Sequence, residues 1–166
     1  MLSTESTITY LEMLSPEALQ PAAPVEGFEL LRIEPGDTAL NRRFYDRIWD
    51  WTGRKDWTEL DWQLHVERET LHTLVGKMGG EEIGFAELEV QPEAQVKFHY
   101  FGLLPDFVGR GLGGAMLTAS IRYAWNLPGT RRVWLHTCSE DHEAALPNYE
   151  RRGFHVYDVK KEPVTD

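Results

Sequence analysis

The sequence predicts an α/β (α+β) fold with a mixed, mostly antiparallel central sheet and helices on both faces. Three observations predict it. Period-2 and period-3.6 stretches follow one another in the order β-α-α-β-β-β-α-β-α-β. The pair Gly79-Gly80 joins two strand patterns as a hairpin. At 109–114 a strand passes through a glycine-rich turn into a helix, which is a crossover. A chain of 166 residues suits a single core.

Residues 1–26 read as a loosely attached N-terminal arm. Ile8-Thr9-Tyr10-Leu11 can form a short strand, and Pro16, Pro21 and Pro24 break anything longer. A single domain is expected over 27–166. Gly27 to Ile33 is its first strand, and Pro35-Gly36-Asp37 is a turn in which Asp37 or Thr38 caps a helix. Leu40, Phe44, Ile48 and Trp51 recur at helical spacing, giving a helix over 38–51 that Thr52-Gly53 ends. A second helix runs from Thr58 to about Glu69, with Leu60 and Leu64 on its apolar face. Strands follow at 71–77, 82–90 and 94–104, then the glycine turn and a helix to about Asn126. Arg132 to Cys138 is a strand. Ala144 to Arg152 is a short helix made awkward by Pro147 and closed by Gly153, and Phe154 to Val159 is the last strand.

Composition narrows the function. Lys and Arg number 17 against 27 Asp and Glu, so the net charge is −10, which argues against a nucleic-acid partner. The single cysteine, Cys138, excludes an internal disulfide. There is no membrane-length apolar run, and the N-terminus lacks the pattern of a signal peptide, so a cytoplasmic location is expected.

The turn Gly109-Arg110-Gly111-Leu112-Gly113-Gly114 carries the first chemical signal. Glycines allow close approach and positive φ. The first N–H groups of a helix are unpaired and partly positive. Together they form an anion site, most naturally for phosphate. The spacing also fits the dinucleotide fingerprint G-x-G-x-x-G, which would make the chain an oxidoreductase, but only 52 residues follow Gly114 and the preceding strands form a hairpin. A phosphate loop of the Walker type fails for lack of a following Lys-Ser/Thr.

Thirty residues on comes Ala145-x-x-x-Tyr149-x-x-x-Gly153-Phe154. This succession of glycine turn, strand and short helix resembles the GNAT superfamily of acyl-CoA-dependent N-acetyltransferases over about residues 27–159. Two positions depart from the family pattern: Val108 stands for the leading Gln/Arg of the first motif, and His142 for the Asn that commonly precedes the tyrosine by seven residues. The resemblance implies a GNAT-like fold in which the parallel strands 94–104 and 132–138 splay to hold acetyl-CoA as co-substrate. It implies a bulge at Phe101-Gly102-Leu103-Leu104, with an N–H near Leu103 polarising the thioester carbonyl. The pyrophosphate would rest on amides from Val108 through Gly109, Arg110, Gly111, Leu112, Gly113 and Gly114, with Arg110 adding charge and Asn148 reaching CoA. Tyr149 matches the residue that protonates the departing thiolate.

The resemblance therefore implies transfer of an acetyl group to a primary amine of a small molecule or peptide, by direct attack in a ternary complex. The alternative is a non-catalytic acyl-CoA or nucleotide-binding module. For the general base the candidates are His99, on the strand of the bulge, Glu87, and a water chain. Glu87 and Glu89 alternate with Ala86, Leu88 and Val90, so both acids point away from the apolar face, where strand carboxylates are ordinarily solvated. Trp49, Trp51, Trp57 and Trp62 fall within 14 residues and line either an aromatic acceptor pocket, a core or a dimer interface. His136 and Cys138 share a strand face, but a buried thiol is the commoner outcome, and no metal motif is present. His65, His72 and His155 show no visible partner and receive no role. All the surplus acid lies in residues 1–100, with 9 basic and 19 acidic side chains, whereas 101–166 hold 8 of each. That split favours a cationic acceptor.

Overall fold

A computed structural model describes residues 5–48, 54 and 56–163 of the chain. Its elements are β1 (Glu5–Met13), β2 (Phe28–Ile33), α1 (Thr38–Ile48), α2 (Glu59–Val66), β3 (Leu71–Met78), β4 (Glu81–Gln91), β5 (Gln95–Leu103), α3 (Leu112–Asn126), β6 (Arg132–Cys138), α4 (Ala145–Arg151) and β7 (His155–Pro163). They build one seven-stranded sheet in the order β2-β3-β4-β5-β6-β1-β7. Only β5 and β6 pair in parallel; the other neighbours are antiparallel. The expected mixed α/β architecture is the one observed.

The residues cause the elements in a direct way. Gly79 and Gly80, at φ 56° and 85°, supply the left-handed pair that a two-residue hairpin between β3 and β4 requires. Asp37 caps α1 by accepting from the Leu40 N–H at 3.2 Å. Thr58 and Asp61 form a reciprocal capping box that starts α2. Pro147 is harmless because it is the third residue of α4, within the turn whose N–H groups have no helical partner.

Two cores flank the sheet. On one face Met116, Leu117, Ile121 and Ala124 of α3 bury against the sheet, beside Leu11 and Met13 of β1 and Leu135 of β6. On the other, Phe44, Tyr45, Trp62 and Val66 of α1 and α2 cover Val75 and Phe85.

Three expectations change. The N-terminal segment is not a loose arm: β1 is a nine-residue strand seated between β6 and β7, with Leu11 and Met13 wholly buried. Its neighbours come from the far end of the chain, so no local pattern announces the pairing. The apolar face of α2 is Trp62, His65 and Val66, whereas Leu60 and Leu64 are 60% and 66% exposed. The last strand extends past Val159 to Pro163, because β1 offers it partners along its whole length. The expected helix end at Trp51 to Gly53 lies outside the described residues.

Gly153 shows how closely the N-terminal segment is held. It sits at φ +107°, and a Cβ there would collide with the Ala18 carbonyl oxygen. The Gln20 N–H donates to the adjacent Arg152 carbonyl at 2.8 Å. Gly153→Ala should therefore cost about 3 kcal/mol of stability, read by urea denaturation, from combined backbone strain and overlap.

Candidate active site

The site begins where two strands part. Parallel pairing of β5 with β6 runs from Gln95–Arg132 to Phe98–Leu135 and stops. At that point β5 carries an extra residue: Glu87 faces Tyr100 and Leu88 faces Phe98, so His99 is a bulge. The bulge thus lies at His99 and not at 101–104, where the resemblance placed it. The extra residue bends β5 away from β6 and resets its N–H alternation. The Leu104 N–H donates to the Ile83 carbonyl at 2.8 Å. By alternation the Leu103 N–H turns to the opposite edge, where β6 no longer pairs. A cavity of about 1160 Å³ opens there, lined by both strands, α4, the glycine turn and the end of α2.

The glycine turn forms one end of this cavity. Gly109 and Gly111 sit at φ 84° and 78°, and Gly111 caps α3, so the backbone needs glycine at both. Adding a Cβ at either meets nothing within 4 Å, so the turn faces open space with the unpaired N–H groups of the α3 start beside it. Such a cradle fits a pyrophosphate. Val108, Gly113, Gly102, Leu103, Asn148 and Tyr149 line the cavity itself. Gly109, Arg110, Gly111 and Leu112 do not line it. Arg110 is exposed and lies over the Phe107 ring at 5.2 Å.

Two expected cofactor residues have packing roles. Leu104 is 3% exposed within the α1/α2 core, and its N–H is spent on β4. Gly114 is small because the Arg152 guanidinium and the Ala22 methyl press on it, at 2.5 and 3.0 Å from a built Cβ. Asn148 ties α4 to the turn, its Nδ2 donating to the Gly113 carbonyl at 3.2 Å.

Tyr149 projects from α4 between Phe101 and Phe154 and is 7% exposed. Burial, reinforced by the charge of Asp141, raises its phenol above the ordinary range, so it keeps its proton at neutral pH.

The opposite end of the cavity holds a polar cluster under α1 and α2. Glu87 is fully buried there, because the face it shares with Phe85 is covered by those helices and not solvated. Arg54 grips it with two bonds, Nη2 to Oε1 at 2.7 Å and Nη1 to Oε2 at 3.1 Å. The Asn41 amide donates to Oε2 at 2.9 Å, and His65 Nε2 lies 2.8 Å from Oε1. Burial pushes Glu87 up, but the bonds from His65 and Arg54 and the Arg54 charge outweigh it, holding the carboxyl well below the usual range. Arg54 itself is roofed by aromatic rings, its Cζ 4.2 Å from Tyr100, 4.5 Å from Trp57 and 5.2 Å from Trp62. The cation on the indoles is thus the chain's own. Trp62 belongs to the core and Trp57 lines the cavity. Trp49 and Trp51 lie outside the described residues.

A second pair sits beside the first. His99 Nε2 lies 2.7 Å from Glu89 Oε1. Arg68 bridges the two clusters, with Nη2 2.6 Å from His65 Nδ1 and Nη1 3.1 Å from Glu89 Oε2. His65 thus sits between two guanidiniums, with Arg54 Nη2 3.0 Å from its Nε2, the same nitrogen that lies against Glu87. Burial, helped by the charges of Lys97 and His65 and opposed by the Glu89 bond, lowers His99 to about 4. His99 is therefore a neutral imidazole that donates from Nε2 to Glu89. Among the described residues nothing bonds its Nδ1, and the ring lines the cavity.

Arg54, His65 and Arg68 had no place in the sequence reading. The one available signal was the i, i+3 spacing of His65 and Arg68 opposite the i, i+2 pair Glu87 and Glu89. Cys138 lines the cavity, but burial and the Asp141 charge push its thiol up, away from the thiolate a nucleophile needs. Among the described residues no group of three or more His, Cys, Asp or Glu side chains could hold a metal ion. No helix among them is long and apolar enough to cross a membrane.

Solved structures share this fold. A GCN5-related N-acetyltransferase from Sphaerobacter thermophilus superposes with a TM-score of 0.70 at 20% identity, over 99% of this chain and 53% of that one. A second, from Kribbella flavida, gives 0.67 at 15% identity, over 92% of this chain and 55% of that one. AAC(6')-Iy, in complex with the bisubstrate analog CoA-S-monomethyl-acetylneamine, gives 0.60 at 19% identity, over 77% of this chain and 90% of that one. The chain thus spans little more than half the length of the first two. No curated protein matches the sequence. The model of the acetyltransferase (GNAT) family matches residues 37–154. The chain belongs to the GNAT acetyltransferase family.

The buried pair makes a stability prediction. Glu87→Gln leaves Arg54 charged without its counter-ion and should cost about 3–5 kcal/mol. Because folding lowers the Glu87 pKa, its contribution is complete above the unfolded value of about 4.3 and is lost only as pH falls below it. The stability gap between the two proteins, followed by denaturation, should stay level from pH 8 to 5 and narrow in stronger acid.

Proposed function

We propose that the chain is an N-acetyltransferase that moves an acetyl group from acetyl-CoA to a primary amine by direct attack in a ternary complex. The observation that carries this reading is a single cavity lined by Val108 and Gly113 at the two ends of the glycine turn, by Leu103 on the open edge, and by Tyr149 and His99. The residues present fit the co-substrate: the turn from Val108 to Gly113 holds the pyrophosphate, and β5 and β6 flank the pantetheine arm. The CoA-linked analog in the AAC(6')-Iy complex is in keeping with this assignment. Acetyl-CoA supplies an acetyl group already activated as a thioester.

The chain's own groups do the rest. His99 Nδ1 takes a proton from the amine as its nitrogen bonds to the acetyl carbon. Glu89 holds the ring in the required tautomer and balances the charge that develops. The Leu103 N–H faces the carbonyl oxygen and stabilises charge there. The carbon–sulfur bond breaks, and Tyr149 gives its proton to the departing sulfur. A buried phenol that keeps its proton at neutral pH is in the correct state for that step. Glu87 is the weaker candidate base, since it lies off the cavity with its oxygens already bonded to Arg54, Asn41 and His65. A thiol at Cys138 favours direct attack over an acyl-enzyme.

Acetyl-CoA at 100 times its dissociation constant should add about 2.7 kcal/mol to stability, visible as a rise in Tm. No rise at millimolar acetyl-CoA would overturn the co-substrate assignment. In a thiol-release assay, Tyr149→Phe and His99→Asn should each lower kcat about 100-fold or more while acetyl-CoA still binds. Proton resonances of the His99 ring should titrate at about pH 4.

A further inference from the structure

The acceptor end of the cavity is lined by Ile48, Arg54, Trp57, His65, Arg68 and Tyr100, two of them guanidinium side chains; the carboxylates on the lining, Glu140, Asp141 and Glu162, come from the segment after β6 and from β7. The two acids nearest to it, Glu87 and Glu89, are not on the lining, and each is matched by an arginine at 2.7 and 3.1 Å respectively. Lys97 adds its charge to the field at His99. Around His99, three cations thus face two carboxylates, in a chain whose net charge is −10.

The two arginines differ in what they have left to offer. Arg54 is 6% exposed, with its edge on Glu87 and its faces under rings. The Arg68 side chain is 41% exposed. Its Nε donates to the His65 carbonyl at 3.3 Å, Nη2 lies against His65 Nδ1, and Nη1 pairs with the Glu89 carboxylate. A guanidinium has five N–H bonds, more than these contacts use, so Arg68 retains donors for a carboxylate. Arg68 is also joined to the His99 ring through a single residue, Glu89.

Resting on the acetyltransferase reading above, we infer that the acceptor is an aminocarboxylate, an amino acid or comparably short amine whose carboxylate docks on Arg68 while its amine meets His99. This replaces the cationic acceptor favoured by the charge split, since Glu87 and Glu89 beside that end of the cavity are each matched by an arginine. Ile48 and Trp57 offer apolar surface to the body of the substrate.

The test compares matched amines in a thiol-release assay with acetyl-CoA: leucine, leucinamide and isopentylamine, and tryptophan with tryptamine. A charge-assisted contact corresponds to about tenfold or more in kcat/KM, so the carboxylates should lead their partners by at least that factor. Arg68→Gln should lower the preference for leucine over leucinamide about tenfold, chiefly through KM for leucine, and Arg68→Lys should restore part of the loss. Equal or faster turnover of the amide or of the decarboxylated amine would overturn the inference and leave the acetyltransferase reading standing. So would an equal effect of Arg68→Gln on both substrates, since that is the mark of structural damage. No thiol release from any amine, with acetyl-CoA bound, would overturn both.

Discussion

The functional half of this fold depends on one interruption: β5 and β6 stop pairing after Phe98 and Leu135. Strand edges normally carry a cost, because each unpaired N–H and C=O must find another partner or face water. Here the edge is turned inward onto a cavity between two cores. The bulge at His99 produces the parting and at the same time carries the candidate base. Further along the same strand, the Leu103 N–H faces the gap. A continuous β5–β6 ladder would consume that N–H and close the space from which Tyr149 faces β5.

Burial decides the electrostatics of the other end. Glu87 and His99 are neighbours across β4 and β5, yet burial acts on them with opposite outcomes. Glu87 meets enough donors to overcome desolvation and stays ionised far below its ordinary range. His99 has one carboxylate partner, which does not offset burial and the cations near it, so it stays neutral. A buried ion pair such as Arg54–Glu87 gains little stability over apolar packing, but it is costly to break. Its effect here is positional. It anchors Arg54 beneath Trp57 and Tyr100 and gives the wall of the cavity a fixed shape.

Local pattern made much of this legible. The hairpin at Gly79-Gly80, the cap at Asp37 and the strand–glycine–helix passage each encode their geometry within a few residues. The Val108 to Gly113 turn and the short helix that carries Tyr149 were readable because each is encoded within a few residues. What was not legible depends on partners distant along the chain. β1 looked like an arm because its neighbours, β6 and β7, lie more than a hundred residues away. Glu87 looked solvated because alternation reports which face a residue takes, and not whether helices cover that face. The bulge moved from 101–104 to His99 because register is a property of two strands together.

The net charge shows the same limit most sharply. A sum of −10 placed mainly in residues 1–100 suggests an acidic acceptor side. Charges separated by more than about 8 Å of physiological salt solution scarcely feel one another, so such a sum describes the outer surface and not an enclosed site. At the acceptor end the same hundred residues contribute Arg54, Arg68 and Lys97 alongside Glu87 and Glu89, and the folding of α1 and α2 onto β4 brings these five together. Each carboxylate there is bound to a guanidinium, which removes it as a docking point for an ammonium group. Arg68 has hydrogen-bonding directions to spare and Glu89 is held by His99, Arg68 and Thr70. What a substrate meets beside His99 therefore follows from how these charges are paired locally, and not from the sum over the chain.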